Sequence, residues 1–405
     1  MTVDPATTQP RVAVIGTGAR SVIAHHVPDA FAGAAVVATV DPTPEGRARS
    51  AAQFPGVPVY DDIPALLAAD RVDAAIVTSP DDTHADIAVA LLEAGVAVYL
   101  EKPLATTLAD ADRVLVAAAE AGGTLYVGHN FRHAAVVRLM KQIIDRGEIG
   151  EVKTVWVRHF VGNGGDYYFK DWHADRSRTN TLLLQKASHD IDVVHYLSGG
   201  FTRRVVGMGD LMVYGDVTDR RDRRGEVMPD WFSFENWPAA ASTGLNPVVD
   251  VEDVSMMMMT LDNGVLASYE QCHFTPDYWR NYTVIGTEGR LENVGDTAGG
   301  RVKVWNRRHE WAPDGDAEYA IEGVASGHED ADLSTMREFL EHAFAGAPTV
   351  VSPVAARAAV AAGALAADSM RDGSRPFDVP PLPTHVAEYF SASHLPSQSL
   401  GRIDR

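Results

Sequence analysis

A glycine-rich turn near the start of the chain is the first feature that could do chemistry. It follows a short apolar run at residues 12–15 and reads Gly16-Thr17-Gly18-Ala19-Arg20-Ser21. The first glycine of such a turn permits a tight bend, the second lets the backbone approach a pyrophosphate, and a small third residue lets helix and strand pack closely. A serine in the third position still allows that packing. We therefore expect a dinucleotide cofactor to be bound by Gly16, Thr17, Gly18, Ala19 and Arg20.

An acidic residue follows this turn at the spacing of a dinucleotide site. Asp41 ends the second predicted strand, about 20 residues beyond the glycines. A carboxylate there can accept hydrogen bonds from both ribose hydroxyls and would repel a 2′-phosphate, which favours NAD over NADP. Arg20 and Arg47 keep NADP open as the alternative.

The next strand of the predicted sheet ends in a small polar turn. Ser79 and Pro80 follow the run at 74–77, and His84 comes a few residues later. Ligands of open parallel sheets bind at the carboxyl ends of the strands, so we expect Ser79 and Pro80 to contact the cofactor. His84 is either a hydrogen-bonding residue at a helix start or a further cofactor contact.

Lys102 follows the strand at 96–100 and stands between Glu101 and Pro103. Pro103 favours an extended conformation for Lys102, so its amine can point into the crevice at the sheet edge. Burial and the charge of oxidised nicotinamide would lower the pKa of this amine from about 10.4 toward working pH, and the amine could then accept or relay a hydroxyl proton. Glu101 orients Lys102 or contacts the cofactor. The sequence leaves open whether the bond before Pro103 is cis.

His189 begins a predicted helix that ends at two glycines, 199–200. Imidazole titrates near neutrality, so His189 could serve as acid and base for a carbinol that loses a hydride. A helix-capping histidine without a chemical role is the alternative. Asp192 lies on the same helical face, either as an orienting partner or as an unrelated polar contact.

Other candidates are weaker. Trp172 and His173 offer an aromatic face and a polar group, as carbohydrate sites often need. For a last set a structural role is equally open: His273, Tyr278, His328 and Asp332. The histidine pairs 25–26 and 129 with 133 lack carboxylate or thiolate partners at metal spacing, so we expect no metal site.

Composition limits the class of partner. The chain of 405 residues carries a formal net charge of -20, which disfavours nucleic acid and anionic membrane surfaces and favours a small-molecule ligand. The single cysteine, Cys272, excludes an intrachain disulfide and fits a reducing compartment. We find neither an export signal in residues 1–10 nor an apolar run of about 18 residues, and therefore expect a cytoplasmic protein.

The elements that would position these residues fall into two patterns. Up to about residue 128, short β-branched runs alternate with helical stretches, which predicts a doubly wound parallel sheet of the Rossmann type. Beyond 150, alternating strands at 152–160, 254–261 and 265–271 predict an α+β domain with a large, mainly antiparallel open sheet. Helices are predicted at 332–344 and 354–370. The predicted units are a cofactor domain at 1–130, a substrate domain at 131–375 and a tail at 376–405.

A set of segments, in this order along the chain, resembles the glucose-fructose oxidoreductase, inositol dehydrogenase and MocA family. The segments cover roughly 11–375 and are Glu101-Lys102-Pro103, Gly128-His129-Asn130-Phe131-Arg132, Gly147-Glu148-Ile149-Gly150-Glu151-Val152, Ser188-His189-Asp190-Ile191-Asp192 and Ile285-Gly286-Thr287-Glu288-Gly289. The resemblance implies an NAD-dependent oxidoreductase acting on a sugar, polyol or glycoside. It implies that His189 is catalytic, that Asn130 contacts the cofactor and Arg132 the substrate, and that the chain forms a homo-oligomer, dimer or tetramer, through its second sheet.

One position departs from the family pattern. Many members carry an aspartate four residues before the catalytic histidine, where this chain has Gln185. Glutamine can bond a substrate hydroxyl but cannot accept a proton, so the proton path falls to Lys102 and His189, with help from Lys186. The residues expected to bind substrate are Lys102, Arg132, Trp172, His173, Gln185, Lys186, His189 and His273. Thr179-Asn180-Thr181 replaces a usual glycine-rich stretch, which argues against simple myo-inositol as substrate.

Two further functions remain open at this point. Some members of such families oxidise a sugar transiently with tightly held NAD, cleave or eliminate at a neighbouring carbon and reduce the sugar again, which makes them hydrolases or lyases. The missing aspartate also leaves open a non-catalytic NAD-binding protein.

Overall fold

The structure is a computed structural model and describes residues 9–323 and 329–391. The candidate residue His328 and the last part of the predicted tail lie outside the described residues. Fifteen strands are assigned within those ranges: β1 Arg11–Ile15, β2 Ala35–Val40, β3 Val59–Tyr60, β4 Ala74–Val77, β5 Ala97–Leu100, β6 Leu125–Val127, β7 Val152–Val161, β8 Thr202–Asp210, β9 Val254–Leu261, β10 Leu266–Cys272, β11 Tyr278–Gly286, β12 Arg290–Val294, β13 Arg301–Trp305, β14 Ala317–Ala320 and β15 Phe377–Asp378.

Thirteen α-helices are assigned in the same part of the chain: α1 Val27–Ala30, α2 Pro44–Gln53, α3 Ile63–Ala69, α4 His84–Glu93, α5 Leu108–Ala121, α6 Ala135–Asp145, α7 Gly164–Tyr168, α8 Arg176–Thr179, α9 Leu182–Gln185, α10 Ser188–Ser198, α11 Glu329–Ala345, α12 Pro353–Arg371 and α13 Thr384–Ser391. Several begin at a polar residue whose side chain accepts a backbone N–H of the first turn, namely Thr43, Asp62, Thr107 and Ser352. Such caps satisfy N–H groups that the helix itself leaves unpaired.

Six parallel strands form the first sheet, in the order β3-β2-β1-β4-β5-β6. Alternate residues of β1 point to opposite faces, so Ala13 and Ile15 pack in one core cluster while Val12 and Val14 pack in another. A sheet covered on both faces needs apolar residues at nearly every strand position, which explains the continuous apolar runs in the sequence. The predicted Rossmann-type sheet is confirmed.

The second sheet has nine strands, in the order β14-β13-β12-β11-β7-β10-β9-β8-β15. Its pairs are antiparallel except for β10 with β7. Helices α6, α10 and α12 contribute to the core on its inner face. The outer face leaves large apolar side chains exposed, among them Trp156, Met256, Met258 and Leu266. The predicted large, mainly antiparallel sheet is therefore confirmed.

After the second sheet the chain returns to the first. On one face of the first sheet, α11 contributes Met336, Phe339 and Leu340 to the core. On the opposite face, α12 contributes Ala356 and Val360. The tail then adds β15 beside β8 and places α13 against α5. The predicted division into 1–130, 131–375 and 376–405 stays a prediction, but helices at the end of the second unit complete the core of the first. No helix in the described ranges combines the length and the apolar character needed to cross a bilayer.

Candidate active site

One end of the inner face of the second sheet is polar. Strand pairing aligns four side chains in one row across β11, β7, β10 and β9: Arg280 faces His159, His159 faces Gln271, and Gln271 faces Ser255. All four are buried. The neighbouring row, which contains Val157 and Tyr282, begins the apolar part of the face.

Asp190, at the start of α10, lies on this polar row. Its carboxylate is 2.9 Å from Arg280 Nε and 3.0 Å from His159 Nδ1, and it accepts the hydroxyl of Tyr282. Burial alone would raise the pKa of Asp190, but the charge of Arg280 and the contact with His159 hold it below its usual value. Asp190 is therefore an anion that fastens the first turn of α10 to the sheet and places the residue before it, His189.

The His189 ring is buried between the two domains. Its centroid lies 5.1 Å from that of Phe131 and 6.5 Å from that of His129. Burial, followed by the charges of Lys102, Arg280 and Lys186, lowers the pKa of His189 well below its usual value. The imidazole is therefore neutral near pH 7 and can accept a proton.

Lys102 joins the loop after β5 to the residues before α10. Its Nζ donates to the carbonyl oxygen of Gln185 at 2.9 Å, and the Lys102–Pro103 peptide bond is cis. Burial lowers the pKa of Lys102, against the opposing charges of Asp81 and Glu101. The structure thus brings Lys102, Gln185 and His189 together, as the sequence predicts.

Lys186, the other predicted cation, faces aromatic rings. Its Nζ lies 5.6 Å from the centroid of Tyr168 and 5.7 Å from that of Tyr278. Burial, followed by the charges of Arg280 and Lys102, lowers the pKa of Lys186 to about 7. A group that titrates so close to neutral pH is typical of a functional site.

Glu101, Arg20 and Asn130 form a polar network beside the glycine turn. Arg20 Nε donates to Glu101 at 2.7 Å, and both terminal nitrogens of Arg20 donate to Asp332 at 2.6 and 2.7 Å. Asn130 Nδ2 donates to the same carboxylate at 2.8 Å, while Glu101 also accepts the backbone N–H of Lys102. Asp332, which the sequence left with an open role, therefore links the turn to α11.

The glycine turn has the shape that a dinucleotide needs. Gly16 has φ +85°, and a Cβ there would lie 2.7 Å from the Ser79 backbone, so any other residue would clash. A Cβ at Gly18, by contrast, would meet no atom within 4 Å, so the backbone is open to a ligand on that side. Ala19 begins a 3-10 helix directly after the turn. These residues fit the pyrophosphate of a dinucleotide.

Asp41 differs from its expected geometry. One carboxylate oxygen accepts Thr43 N and Oγ1, at 3.0 and 2.7 Å, and the other accepts Thr17 N and Oγ1, at 3.1 and 3.0 Å. A carboxylate has about four acceptor positions, and all are filled from within the chain. Burial would raise the pKa of Asp41, but these hydrogen bonds lower it. Asp41 therefore holds the turn as an anion, and a ribose hydroxyl would have to displace one of these donors.

His84 acts as a brace between two loops. Its Nδ1 lies 2.7 Å from the carbonyl oxygen of Pro103, and its Nε2 lies 2.9 Å from that of Ser79. Of the two roles left open for His84, the structure supports hydrogen bonding at a helix start. Ser79 and Pro80 do lie at the carboxyl edge of the sheet, where Ser79 contacts Gly16.

Three predicted substrate residues are engaged elsewhere. Arg132 Nε and Nη2 each donate to Asp192 at 2.7 Å, and Nη1 donates to the Val350 carbonyl, so three of the five N–H donors of the guanidinium serve as an internal brace. Arg132 is thus a partner of Asp192, and an orienting role of Asp192 toward His189 stays a prediction. His173 pairs with Asp171 and stacks on Trp172, with ring centroids 3.7 Å apart.

His273 lies deeper than expected for a substrate contact. It is fully buried, and its ring packs 5.2 Å from Tyr168 and 6.1 Å from Phe169. Burial lowers its pKa well below the usual value. Through Tyr168, His273 supports the ring that faces Lys186.

Sequence reasoning missed several residues of the site. Arg280, His159 and Gln271 are polar residues at inward positions of otherwise alternating strands, a signal that could have been read from their period-two spacing. His129 was present in a recognised segment, and its fully buried ring lies beside His189. In the part of the chain that the structure describes, no group of three or more potential ligands is placed to hold a metal ion.

Two family models match this chain. The first, described as an oxidoreductase family with an NAD-binding Rossmann fold, matches residues 10–129, and the second, a GFO/IDH/MocA C-terminal domain, matches residues 137–292. Together they take in more than half of the 405 residues.

Individual relatives agree with the two models. Inositol 2-dehydrogenase of Salmonella typhimurium is 34% identical over 41% of this chain and 47% of its own length. The 2,7-anhydro-N-acetylneuraminate hydratase of Mediterraneibacter gnavus is 28% identical over 56% of this chain and 62% of its own length. Matches to three further curated relatives span 51% to 65% of the length of each.

A solved structure is similar over almost the whole chain. Levoglucosan dehydrogenase in complex with NADH and L-sorbose superposes with a TM-score of 0.74 at 20% identity, over 93% of this chain and 100% of that one. At this identity the similarity shows the shared fold. The glycine turn, the two-sheet architecture and the matched models agree, and the chain therefore belongs to the GFO/IDH/MocA family of oxidoreductases, with that family's NAD-binding Rossmann domain at its start.

Proposed function

We propose that this protein oxidises a secondary hydroxyl of a sugar, polyol or glycoside, with NAD as hydride acceptor and with Lys102 and His189 handling the proton. The observation that carries the proposal is the hydrogen bond from Lys102 Nζ to the Gln185 carbonyl at 2.9 Å. This bond holds the Lys102 amine, at the carboxyl edge of the first sheet, against the carbonyl oxygen of Gln185. Gln185 stands four residues before His189. This bond supports the proposal that Lys102 and His189 act together on one substrate.

The residues of the first domain fit NAD. Gly16, Thr17, Gly18 and Ala19 would take the pyrophosphate, and the anionic Asp41 beneath them would repel a 2′-phosphate. When bound, the nicotinamide ring supplies the hydride acceptor for the reaction. Ser79 and Pro80 would line the edge of the sheet along which the cofactor extends.

The chain's own residues would manage the proton. As the carbinol carbon loses a hydride, its hydroxyl proton passes to the neutral ring of His189, and a carbonyl remains. The Lys102 ammonium stabilises negative charge that develops on the substrate oxygen. Gln185 Oε1 is buried without a hydrogen-bond partner among the described residues, so it can accept a bond from a neighbouring substrate hydroxyl.

The test is a panel of sugars, polyols and glycosides assayed with NAD and NADP, with NADH formation followed by absorbance. For the compound that is oxidised, His189→Gln should lower kcat by about 100-fold or more while the Kd for NAD changes little. His309→Gln, a partly exposed histidine of the second domain paired with Asp316, is the matched control. Unchanged kcat in the His189 variant would rule out the assigned role and favour a non-catalytic NAD-binding protein.

A net reaction without redox change is the second candidate. The name of one relative is that of a hydratase rather than a dehydrogenase. In such a case NAD would oxidise the substrate transiently and be regenerated in the same cycle. Stoichiometry distinguishes the two functions, because a dehydrogenase accumulates one NADH per product, whereas the recycling enzyme releases product without net NADH.

The exposed outer face of the second sheet supports assembly into a homo-oligomer. Trp156, Met258 and Leu266 are 53%, 70% and 56% exposed, respectively, on this face. Large apolar side chains exposed on one sheet face are typical of protein interfaces. We expect a dimer or tetramer in sedimentation and a smaller species for Met258→Glu. A wild-type protein that sediments only as a monomer would contradict this part of the proposal.

The lone Cys272 also supports a reducing, cytoplasmic location.

A further inference from the structure

Three cationic side chains converge on His189. The charges of Lys102, Arg280 and Lys186 all act on this ring and lower its pKa. Within residues 9–323 and 329–391, no carboxylate forms an ion pair with either lysine, and Arg280 pairs with Asp190 alone. Burying a cation without a carboxylate in ion-pair contact costs free energy, and a bound anion would offset that cost.

Arg280 has hydrogen-bonding capacity left over. Its side chain is 1% exposed, and its Nε is the atom close to Asp190. Its Nη1 is buried and has no hydrogen-bond partner in the described part of the chain. The guanidinium lies 4.1 Å from the centroid of Phe131, the ring that also packs on His189. Arg280 therefore offers an unpaired N–H donor close to Phe131, the ring that packs on His189.

Lys186 is held by groups that do not neutralise it. The rings of Tyr168 and Tyr278 face its ammonium at 5.6 and 5.7 Å. Such rings attract a cation through their quadrupole but carry no charge. The carboxylates of Asp190 and Asp296 act on Lys186 from beyond ion-pair distance. Its charge is thus available to a ligand.

We propose that the substrate is a polyhydroxylated carboxylate, such as a sugar acid, whose carboxylate binds between Lys186 and Arg280 while the hydroxyl to be oxidised faces His189. This inference rests on the oxidoreductase function proposed above. Lys186, Arg280 and Asp190 sum to a net charge of about +1, and Asp296, whose pKa is raised by burial, acts on both cations from beyond ion-pair distance. A site of such low positive charge matches a carboxylate better than a doubly charged phosphate. Arginine and lysine together are suited to hold a carboxylate by charge-assisted hydrogen bonds.

A bound carboxylate would also prepare His189 for proton transfer. Burial and the three neighbouring cations disfavour the protonated ring when no ligand is bound. A negative charge beside Lys186 and Arg280 offsets that field and makes the protonated ring less costly. The substrate would in this way contribute to the basicity of the residue that takes its proton, and the carboxylate should affect kcat as well as binding.

The experiment compares matched ligands with the NAD-loaded protein. D-glucuronate, D-galacturonate and D-mannuronate are each assayed beside their methyl esters, their parent aldoses and the corresponding sugar phosphates. NADH formation gives kcat/KM, and calorimetry gives binding independently of turnover. For at least one pair we expect kcat/KM to be about 10- to 100-fold higher for the acid than for its ester, the range of one or two charge-assisted hydrogen bonds.

Lys186→Met tests the site itself. It should lower the acid-to-ester ratio of kcat/KM about tenfold or more, and Lys186→Gln should do the same if methionine disturbs folding. Lys153→Met is the matched control, because Lys153 is an exposed lysine on the second sheet that pairs with Glu151. It should leave the ratio unchanged.

The outcomes separate this inference from the function on which it rests. If neutral sugars are oxidised as well as their acids, and Lys186→Met does not change the acid-to-ester ratio of kcat/KM, the anion site is wrong. The oxidoreductase function would still stand in that case. If uronates bind the wild type but not Lys186→Met, and no ligand gives NADH, the anion site stands and the oxidoreductase function is wrong. A preference for the phosphates, or no calorimetric binding of any acid, would overturn the carboxylate assignment.

Discussion

The amine of Lys102 donates a hydrogen bond to the backbone carbonyl of Gln185, with 2.9 Å between the two atoms. This bond joins the edge of the parallel sheet to the segment before α10, across 83 positions of the sequence. Gln185 is the last residue of α9, and His189 lies in the first turn of α10. The approach of the amine to the imidazole therefore depends on how the first sheet packs against this segment. The site is therefore an interdomain feature.

Lys102→Met should abolish most of the turnover. The variant keeps the length of the side chain but loses both the cation and the donor to Gln185, so we expect kcat to fall by about 100- to 10,000-fold. The glycine turn is untouched, and the Kd for NAD should change by less than about threefold. Stopped-flow assays and tryptophan fluorescence titrations measure the two quantities. A proportional loss of NAD binding would show that Lys102 acts mainly on the cofactor.

Asp190→Asn should destabilise the fold. It removes the charge that Arg280 and His159 face in a site without solvent, and breaking a buried pair costs about 3–5 kcal/mol. Urea denaturation measures the free energy of unfolding. Asp222→Asn, beside the exposed Arg224, is the control and should leave the free energy of unfolding nearly unchanged. If Asp190→Asn is as stable as that control, the anchoring role assigned to Asp190 is wrong.

Lys186→Met should raise the melting temperature, most of all at low pH. The folded pKa of Lys186 is about 7, below the value of about 10.4 for a free lysine. The unfolded chain therefore binds more protons between these values, so the penalty of Lys186 is fully present below pH 7 and disappears as the pH approaches 10. The charged groups that act on residue 186, namely Arg280, Lys102, Asp190 and Asp296, are the same in both proteins. Calorimetric scans at pH 6 and pH 9 should show the larger gain in Tm at pH 6, and an equal gain would contradict the assignment.

Asp41→Ala should relax the choice of cofactor. Its carboxylate accepts four internal hydrogen bonds, so the substitution removes the charge that repels a 2′-phosphate and loosens the turn at Thr17. We expect the Kd for NADP to fall by about tenfold while the Kd for NAD changes little. Asp61→Ala, an exposed carboxylate paired with Arg47, is the control. A tenfold loss of NAD affinity with no change for NADP would instead indicate a direct ribose contact.

The sequence located the strand ends that carry the candidate cofactor residues, and the binding of NAD by those residues stays a prediction. The glycine turn, Asp41, Ser79 and Lys102 all lie at or next to strand ends, and each strand could be recognised from its own apolar run. The predicted strand at 74–77 coincides with β4, and that at 254–261 coincides with β9. What the sequence did not predict is which polar atoms are already satisfied: Arg132 pairs with Asp192, and His84 braces two loops.

By itself, the sequence determined the fold class of the two sheets and the glycine turn after the first strand, and it nominated Lys102 and His189 for the roles that we propose. These depend on hydrophobic periodicity and on residues close together in the chain, whose geometry the backbone limits to a few forms. Only the tertiary structure decided the polar row from Arg280 to Ser255 and the cluster of cations around His189. That row depends on the order and register of four strands, and a shift by one residue would turn each side chain to the opposite face. The position of Arg280 in the polar row therefore depends on strand pairing, which no local sequence pattern encodes.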